Sequence, residues 1–418
     1  MNTSKFTLII DGHWWMRSRN AAIRRPNNDA LTFKDEHYES DRQLLITKLS
    51  MDLAYELRST EHFVDDVIFV TDVKSWRKKY EYITPPWSTD KKGLDYKSDR
   101  VYDKSVDYLA RIRVFDDWLN MLYDKANVAT IRATGNEGDD LIGLVTKHLN
   151  EQGKNALFLS TDKDLIQCTQ FNSNTQTFSA YYYKAAGNKA NRYRRTNVLW
   201  LVQNSSINDD MSMQYHAASK LNVTPSIFDF SITEFKSSSN AIVAMNDYFT
   251  YRNENMPYFI FYKICLGDGG DSVTPLMTRP SGKVIFRSNA KHVYSTLEKL
   301  NMHTNMQISY LYNTNFIAAF IKELHAQFYK HHIAYTTERG EFFFKKFAEN
   351  RKLMYLHECE MPQYAKDNAH LAIFTHLYDN KPKANIKSMH NYHDITSWFS
   401  IIDSNSFFAM HASEVTKS

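Results

Sequence analysis

The chain has 418 residues and a formal net charge of +4, with 51 lysines and arginines against 47 aspartates and glutamates. Its hydrophobic fraction of 43% predicts a folded globular protein with room for one large or two ordinary domains. The three cysteines are widely spaced without any CxxC pair, which argues against a disulfide framework or a structural zinc site. No stretch reaches the roughly 18 apolar residues of a membrane helix. The composition therefore predicts a soluble, cytoplasmic protein.

Three short apolar runs are each followed closely by an aspartate. FTLII leads to Asp11, VIFVT leads to Asp72, and the run at 156–160 leads to Asp162. Runs that are apolar throughout are typical of parallel strands covered on both faces, and ligands gather beyond the carboxyl ends of such strands. A turn is the ordinary role of one aspartate in this position. Three instances favour a shared site at one edge of a sheet.

A helix with acids at its start is predicted just before the third run. Its apolar residues recur at helical spacing between Glu137 and Leu149, and Gly153 is its expected stop. Acids at a helix N-terminus also offset the positive end of its dipole, which is the ordinary alternative. The same spacing predicts helices at 105–125 and 316–328, and Ser40 is the expected N-cap of another. The acids of the central unit are Glu137, Asp139, Asp140, Asp162 and Asp164.

The segment 74–100 changes in composition. It carries eight lysines and arginines among five tryptophans and tyrosines, interrupted by Pro85, Pro86 and Gly93. Basic groups neutralise phosphates and aromatic rings stack on unpaired bases, so this composition favours nucleic-acid binding. A solvated loop of mixed charge stays open as the alternative, because the segment also contains four acids.

Six pieces of the sequence together resemble a known family, in the family's order. They are LIIDG (8–12), VTDVKSWRKKY (70–80), YKSDR (96–100), EGDDLIG (137–143), STDKDLIQ (160–167) and ICLGDGGD (264–271). The family is that of the 5′ nucleases, which includes flap endonucleases and the 5′ nuclease domains of DNA polymerases. The bacteriophage ribonuclease H subgroup resembles this chain best, and the resemblance covers roughly the first 275 residues.

The resemblance implies an α/β fold of the PIN-like type. A central, mostly parallel sheet would be flanked by helices, with a helical arch and a mainly helical C-terminal region. The implied parts are a nuclease core at 1–170 with the arch at about 74–104, a family-variable insertion at 171–262, a GDxxD and helix-hairpin-helix region at 263–300, and the C-terminal region at 301–418. After Asp271 the sequence lacks the family's GxGxK pattern, so the helix-hairpin-helix is degenerate.

The resemblance also implies which acids hold metal. It assigns one ion to Asp11, Asp72, Glu137 and Asp139, a second ion to Asp162, Asp164, Asp268 and Asp271, and outer support to Asp140. Carboxylates without histidine or cysteine are hard oxygen ligands that suit Mg²⁺, with Mn²⁺ as a substitute. Two such ions would activate water and stabilise the leaving oxygen in phosphodiester hydrolysis.

A second group of residues is expected to bind nucleic acid. It comprises Lys74, Arg77, Lys78, Lys79, Tyr96, Lys97, Arg100, Arg192, Arg194 and Arg195. The last three belong to a loop between the strand-like runs TFSAYYY and VLWL that carries five basic residues and no acid. This loop is expected to form a duplex-binding hairpin, with a solvated hairpin tip as the alternative. His13, in the turn after Asp11, is a further candidate for a phosphate contact, with an ordinary turn histidine as the alternative.

Together these features predict a metal-dependent, structure-specific 5′-3′ nuclease acting in replication or repair. Its expected partners are DNA or RNA:DNA with a 5′ single-stranded end, at flaps, nicks or RNA primers, and replication proteins, with no membrane. Its expected location is the cytoplasm, which is the host cytoplasm if the chain is viral. Two alternatives stay open: a PIN-type endoribonuclease, and a non-catalytic nucleic-acid-binding protein that keeps the fold.

Overall fold

A computed structural model describes most of the chain. The described residues are 6–23, 30–34, 36–60, 64–79, 96–97, 106–160, 162–168, 170–172, 177–185, 197–200, 256–268, 271–278, 286–302, 306–330, 332–377 and 382–399. Most of the expected arch and the basic loop at 186–196 lie outside them. No helix within these ranges is long and apolar enough to cross a membrane.

The described strands form one seven-stranded sheet. They are β1 (Phe6–Asp11), β2 (Val64–Val70), β3 (Ala129–Ile131), β4 (Asn155–Leu159), β5 (Gln170–Asn172), β6 (Thr177–Ala185) and β7 (Asn197–Trp200). Their order is β3-β2-β1-β4-β6-β5, with β7 also paired to β6. The first five strands of this order are parallel, and β5 and β7 run antiparallel to β6. The predicted mostly parallel sheet is confirmed.

The helices follow the strands in alternation and then dominate the C-terminal half. They are α1 (Gly12–Ala22), α2 (Tyr38–Thr60), α3 (Val106–Ala126), α4 (Gly138–Glu151), α5 (Met256–Leu266), α6 (Phe286–Lys299), α7 (Thr314–Tyr329), α8 (Thr337–Met354), α9 (Gln363–Leu377) and α10 (Tyr392–Ser397). The helices predicted at 105–125 and 316–328 are confirmed as α3 and α7. Gly153 follows α4 with a positive φ of 69°, as its predicted role requires.

One predicted helix boundary is wrong. Ser40 lies inside the first turn of α2, where its hydroxyl donates to the carbonyl of His37 at 2.9 Å. The next residue, Asp41, connects the start of the helix to the preceding segment. Its side chain is buried and accepts hydrogen bonds from the backbone N–H groups of Thr32 and Phe33. The helix therefore begins two residues before the predicted cap.

Alternate residues of each strand face opposite sides of the sheet, as period-2 geometry requires. On β1, Leu8 and Ile10 pack with α1, α2 and α3 in one apolar cluster, and Ile9 packs with α4 and α9 in another. Both faces of the central strands are therefore covered, which explains their continuous apolar sequences.

The C-terminal region is mainly helical, as predicted, but much of it is built into the sheet's two clusters. Ala369 of α9 lies in the cluster on the α4 side, and Phe399 lies in the cluster on the α2 side. Helices α5 to α8 form a third apolar cluster around Phe261. The predicted boundary at residue 301 thus falls inside this helical cluster, and the proposed domain division stays a prediction.

Candidate functional site

The predicted acids meet at the carboxyl ends of the central strands. Asp11 closes β1, Asp72 lies two residues after β2, and Asp162 follows β4. They line a cavity of about 760 Å³ together with residues from α1, α4 and α5. All eight predicted metal-binding acids line it: Asp11, Asp72, Glu137, Asp139, Asp162, Asp164, Asp268 and Asp271.

Asp11 caps α1 and is held by two hydrogen bonds. Its Oδ1 accepts from the backbone N–H of Trp14 at 3.0 Å, and its Oδ2 accepts from the hydroxyl of Ser160 at 3.1 Å. Burial and the nearby charge of Asp72 raise the pKa of Asp11 from 3.8 to about 7, and these two bonds only partly offset them. No cation among the described residues therefore compensates this carboxylate.

Asp72 is fixed by backbone contacts on two sides. Its Oδ1 accepts from the N–H of Gly138 at 2.6 Å, and its own N–H donates to Nδ1 of His13 at 2.9 Å. A Cβ on residue 138 would lie 2.9 Å from Asp72 Oδ1, so the first position of α4 favours glycine. The bond also makes His13 Nδ1 an acceptor, which places the proton of a neutral ring on Nε2.

Glu137, the N-cap of α4, is surrounded by donors. Its Oε1 accepts from Lys97 Nζ at 2.6 Å, and its Oε2 accepts from the hydroxyl of Tyr96 at 2.9 Å. Burial opposes the charge, but Lys97 and Arg77 outweigh it and hold the pKa of Glu137 below its usual value. The Tyr96 hydroxyl also lies 3.0 Å from the carboxylate of Asp271, so the two carboxylates share its one proton, and the N–H of Lys97 donates to the carbonyl of Asp271. These contacts join α4 to the GDxxD loop.

Asp140 lies behind the cavity, where it accepts two hydrogen bonds of 2.6 Å from Arg77. Both side chains are only 1% exposed. The structure therefore gives Arg77 other contacts than the expected one with nucleic acid: its guanidinium is buried in this bidentate pair and lies 3.4 Å from Glu137. The Arg77–Asp140 pair supports the start of α4. This agrees with the expectation that Asp140 supports the site from outside.

The other expected nucleic-acid-binding residues fall into three groups. Tyr96 is 5% exposed with its hydroxyl engaged, so the structure does not present its ring for stacking on bases. Lys97 lines the cavity, and Lys74 and Lys78 are exposed, so these three stay candidates. The remaining candidates have side chains outside the described part of the chain: Lys79, Arg100, Arg192, Arg194 and Arg195.

Lys263 is a cavity residue that the sequence reasoning missed. It forms a short ion pair with Asp164 and lies 3.5 Å from Asp268. Burial and Asp162 raise the pKa of Asp164 to about 6 despite this pair. Its position in the sequence could have identified it. Lys263 is the one charged residue of the apolar helix MPYFIFYKICL, and it lies five residues before Asp268.

Gly267 brings the GDxxD loop back onto the end of α5. Its φ is +67°, and a Cβ there would lie 2.3 Å from the carbonyl of Val273. Asp268 then exchanges two backbone hydrogen bonds with Val273, and its side chain lines the cavity. The tight turn therefore requires glycine in order to deliver Asp268 to the site.

Asp139 has the least support among the acids. It accepts no hydrogen bond from the described residues, and burial together with Asp162, Asp11 and Asp72 raises its pKa well above the usual value. A carboxylate cluster of this kind binds either protons or cations. Its donors are oxygens alone, which fits Mg²⁺ or Mn²⁺.

The described side chains are not yet arranged around an ion. No group of three His, Cys, Asp or Glu among them could hold a metal ion as placed. Two ammonium groups occupy the intervening positions: Lys97 lies 2.6 Å from Glu137 and 3.8 Å from Asp271, and Lys263 bridges Asp164 and Asp268. Glu137 and Asp271 share donors although the resemblance assigns them to different ions, so that division stays a prediction.

The fold and site together define an α/β protein with a carboxylate-lined cavity at the carboxyl edge of a parallel sheet. Neither family models nor curated proteins matched the sequence. Among solved structures, a bacteriophage T5 protein crystallised with metal ions has a TM-score of 0.43 and 13% identity, covering 94% of this chain and 99% of that one.

Two other solved structures show a similar, weak likeness. The T5 flap endonuclease in a pseudo-enzyme–product complex with DNA and metal ions has a TM-score of 0.42 and 13% identity, covering 94% of this chain and 100% of that one. Human GEN1 with Holliday junction DNA has a TM-score of 0.34 and 10% identity, covering 90% and 73%.

Proposed function

We propose that this protein is a metal-dependent, structure-specific 5′-3′ nuclease that hydrolyses phosphodiester bonds at 5′ flaps, nicks or RNA primers on DNA. One observation carries the proposal: eight carboxylates from separate segments line a single cavity. Burial and neighbouring acids raise the pKa values of Asp11, Asp139 and Asp164, which supports incomplete compensation of this charge by the described cations. A divalent cation is the natural complement of such a site.

The residues would divide the work as follows. The eight lining acids would hold divalent cations, which supply Lewis-acid chemistry to a bound phosphodiester. Ser160 and the N–H of Trp14 orient Asp11, and the N–H of Gly138 orients Asp72. Arg77 and Asp140 hold the start of α4, so that Glu137 and Asp139 face the cavity without being displaced by substrate.

The decisive experiment is cleavage of a labelled 5′-flap DNA by the full-length chain in Mg²⁺, Mn²⁺ and EDTA. We expect cleavage that requires a divalent cation. Asp72→Asn and Asp162→Asn should each lower the rate by about 100-fold or more, because a metal site contributes several kcal/mol to transition-state stabilisation. Each change keeps the side-chain volume, so DNA binding should be nearly intact.

Asp124→Asn is the matched control, since Asp124 is exposed on α3 and lies outside the cavity. A rate within tenfold of the parent for D72N and D162N would remove these carboxylates from the site. Nicked DNA, RNA:DNA hybrid and single-stranded RNA substrates distinguish the proposed function from its alternatives. Cleavage of single-stranded RNA alone would identify a PIN-type endoribonuclease. Binding without cleavage of any substrate would leave a non-catalytic protein.

A further inference from the structure

The carboxylate cavity has one wall without acids, formed by α1. His13 and Arg17, one helical turn apart, line this wall. Arg17 is exposed and is not ion-paired with any acid in the described ranges. Because a nucleic acid must approach an acidic cavity with its phosphates screened, this wall is a natural place for them to bind.

Arg132 extends the wall beyond the cavity. It follows β3, and the residue before it accepts a hydrogen bond from the N–H of Thr71 at 3.0 Å, which sets Arg132 beside the end of β2. The residue after Thr71 is Asp72, whose N–H donates to the His13 ring at 2.9 Å. Arg132 and Arg17 therefore approach the surroundings of this ring from two different elements.

Each of the three side chains has donors to spare. His13 uses Nδ1 as an acceptor for the N–H of Asp72, which leaves its Nε2–H as the remaining donor. Arg132 bonds to Asp116 through Nη2 at 2.9 Å, and its side chain is still 40% exposed. A guanidinium has five N–H groups in a planar fork, so one carboxylate contact does not consume it.

We propose that His13, Arg17 and Arg132 form a binding subsite for internucleotide phosphates where a nucleic-acid strand leaves the acidic cavity towards β3. This inference rests on the proposed nuclease function and gives the substrate a direction across the sheet edge. The ligand is a phosphodiester backbone, without base recognition, since all three donors suit phosphate oxygens. Asp116 moderates the subsite because it competes with phosphate for Arg132.

The test compares two double variants with the same change in charge. Arg17→Gln with Arg132→Gln removes the subsite's cations, and Lys125→Gln with Lys154→Gln removes two exposed cations that precede β3 and β4 at the opposite edge of the sheet. All are made in the D162N background, so that binding of labelled 5′-flap DNA can be followed in Mg²⁺ by fluorescence anisotropy at several salt concentrations.

We expect R17Q/R132Q to bind more weakly, with a salt slope shallower by about 1.4 to 1.8, since each lost phosphate contact removes about 0.7 to 0.9. K125Q/K154Q should keep the D162N slope. Asp116→Asn should bind more tightly than D162N alone, a gain that impaired folding cannot produce. Repeating the titrations with single-stranded and duplex DNA assigns the contact to one part of the substrate.

Two substitutions of His13 separate its two nitrogens. Asn places an acceptor near the position of Nδ1, and Gln places a donor near Nε2. His13→Gln should therefore bind flap DNA about two- to tenfold more tightly than His13→Asn, the range expected for one hydrogen bond. Equal salt slopes for the two double variants, in a chain whose parent cleaves flap DNA, would overturn the subsite alone. Failure of the parent to bind or cleave would overturn the proposed function as well.

Discussion

Carboxylates in the cavity differ in whether a cation accompanies them. Glu137 has Lys97 and Arg77 beside it and keeps a pKa below its usual value, although it is buried. Asp11 and Asp139 have no such partner within the described part of the chain, so burial and neighbouring acids raise their pKa values. A carboxylate with a cation beside it stabilises the fold at neutral pH. A carboxylate without one costs stability until a proton or a metal ion binds.

The cost at Asp11 gives a pH dependence with a definite sign. Its pKa rises from 3.8 to about 7 on folding, so the folded state binds more protons between these values and stability falls as pH rises through them. Asp11→Asn should therefore stabilise the metal-free protein at pH 8, by about 4 kcal/mol at most, and the gain should shrink towards pH 5.

Urea unfolding in EDTA at several pH values measures this difference. Asp124→Asn, on the surface of α3, should show no such pH-dependent gain. Saturating Mg²⁺ should stabilise the parent more at pH 8 than at pH 6, because metal and protons compete for the same carboxylates. A D11N protein less stable than the parent at pH 8 in EDTA would show that Asp11 already has a compensating partner.

At the scale of elements, two segments that flank the expected arch are anchored to α4. Arg77 lies in a short helical turn at 76–79 and donates hydrogen bonds to Asp140. Lys97 and Tyr96 donate hydrogen bonds to Glu137. The N-terminus of α4 is therefore held from both sides by the chain that leads into and out of 80–95. This arrangement ties the described residues on both sides of 80–95 to Glu137 and Asp140.

Replacing Arg77 should mainly affect stability. Arg77→Ala leaves Asp140 buried and unpaired, and breaking a buried pair in this way costs about 3–5 kcal/mol. Arg77→Lys should recover only part of this loss, because an ammonium cannot make the bidentate contact. Denaturant unfolding of both variants and of the Asp140→Asn and double variants gives the coupling energy of the pair.

A different result would contradict a purely structural role of Arg77. An R77A protein of parental stability whose salt slope for DNA binding falls by about 0.9 would restore Arg77 as a phosphate contact. Lys125→Ala is the control for that measurement, because Lys125 is exposed at the end of α3 and does not line the cavity.

The sequence predicted the elements well because their signals are local. Apolar strands ending in aspartate, and the helical spacing in α3, α4 and α7, depend on neighbours within one or two turns. The roles of Arg77 and Tyr96 were not predictable in the same way, since a basic or aromatic residue reads alike whether it faces solvent or a buried acid. The helix α5 was missed because an apolar run without polar alternation carries no period. Lys263 was missed with it.

At the scale of the whole molecule, the last described segment returns to the first strand's cluster. Ile386, Met389, Ile395 and Phe399 pack with α2, α3 and β1. Backbone and side-chain contacts reinforce this: the N–H of Asn385 donates to the carbonyl of Ala126 at 2.7 Å, and the N–H of Ala384 donates to Asp66. The C-terminal segment is thus a structural part of the body that holds Asp11 and Asp72.

A pair of phenylalanines tests this integration. Phe399 is 3% exposed in the cluster on the α2 side, and Phe374 is 59% exposed on α9. Phe399→Ala should cost about 3 kcal/mol, as expected for a buried phenylalanine, whereas Phe374→Ala should change stability by less than about 0.5 kcal/mol. Because the sheet and this segment share one core, the F399A protein should unfold in a single transition, and the amide protons of β1 should exchange faster throughout. A loss confined to local exchange at 382–399, with β1 as protected as in the parent, would instead make this segment an independently opening unit that contributes little to the placement of Asp11 and Asp72.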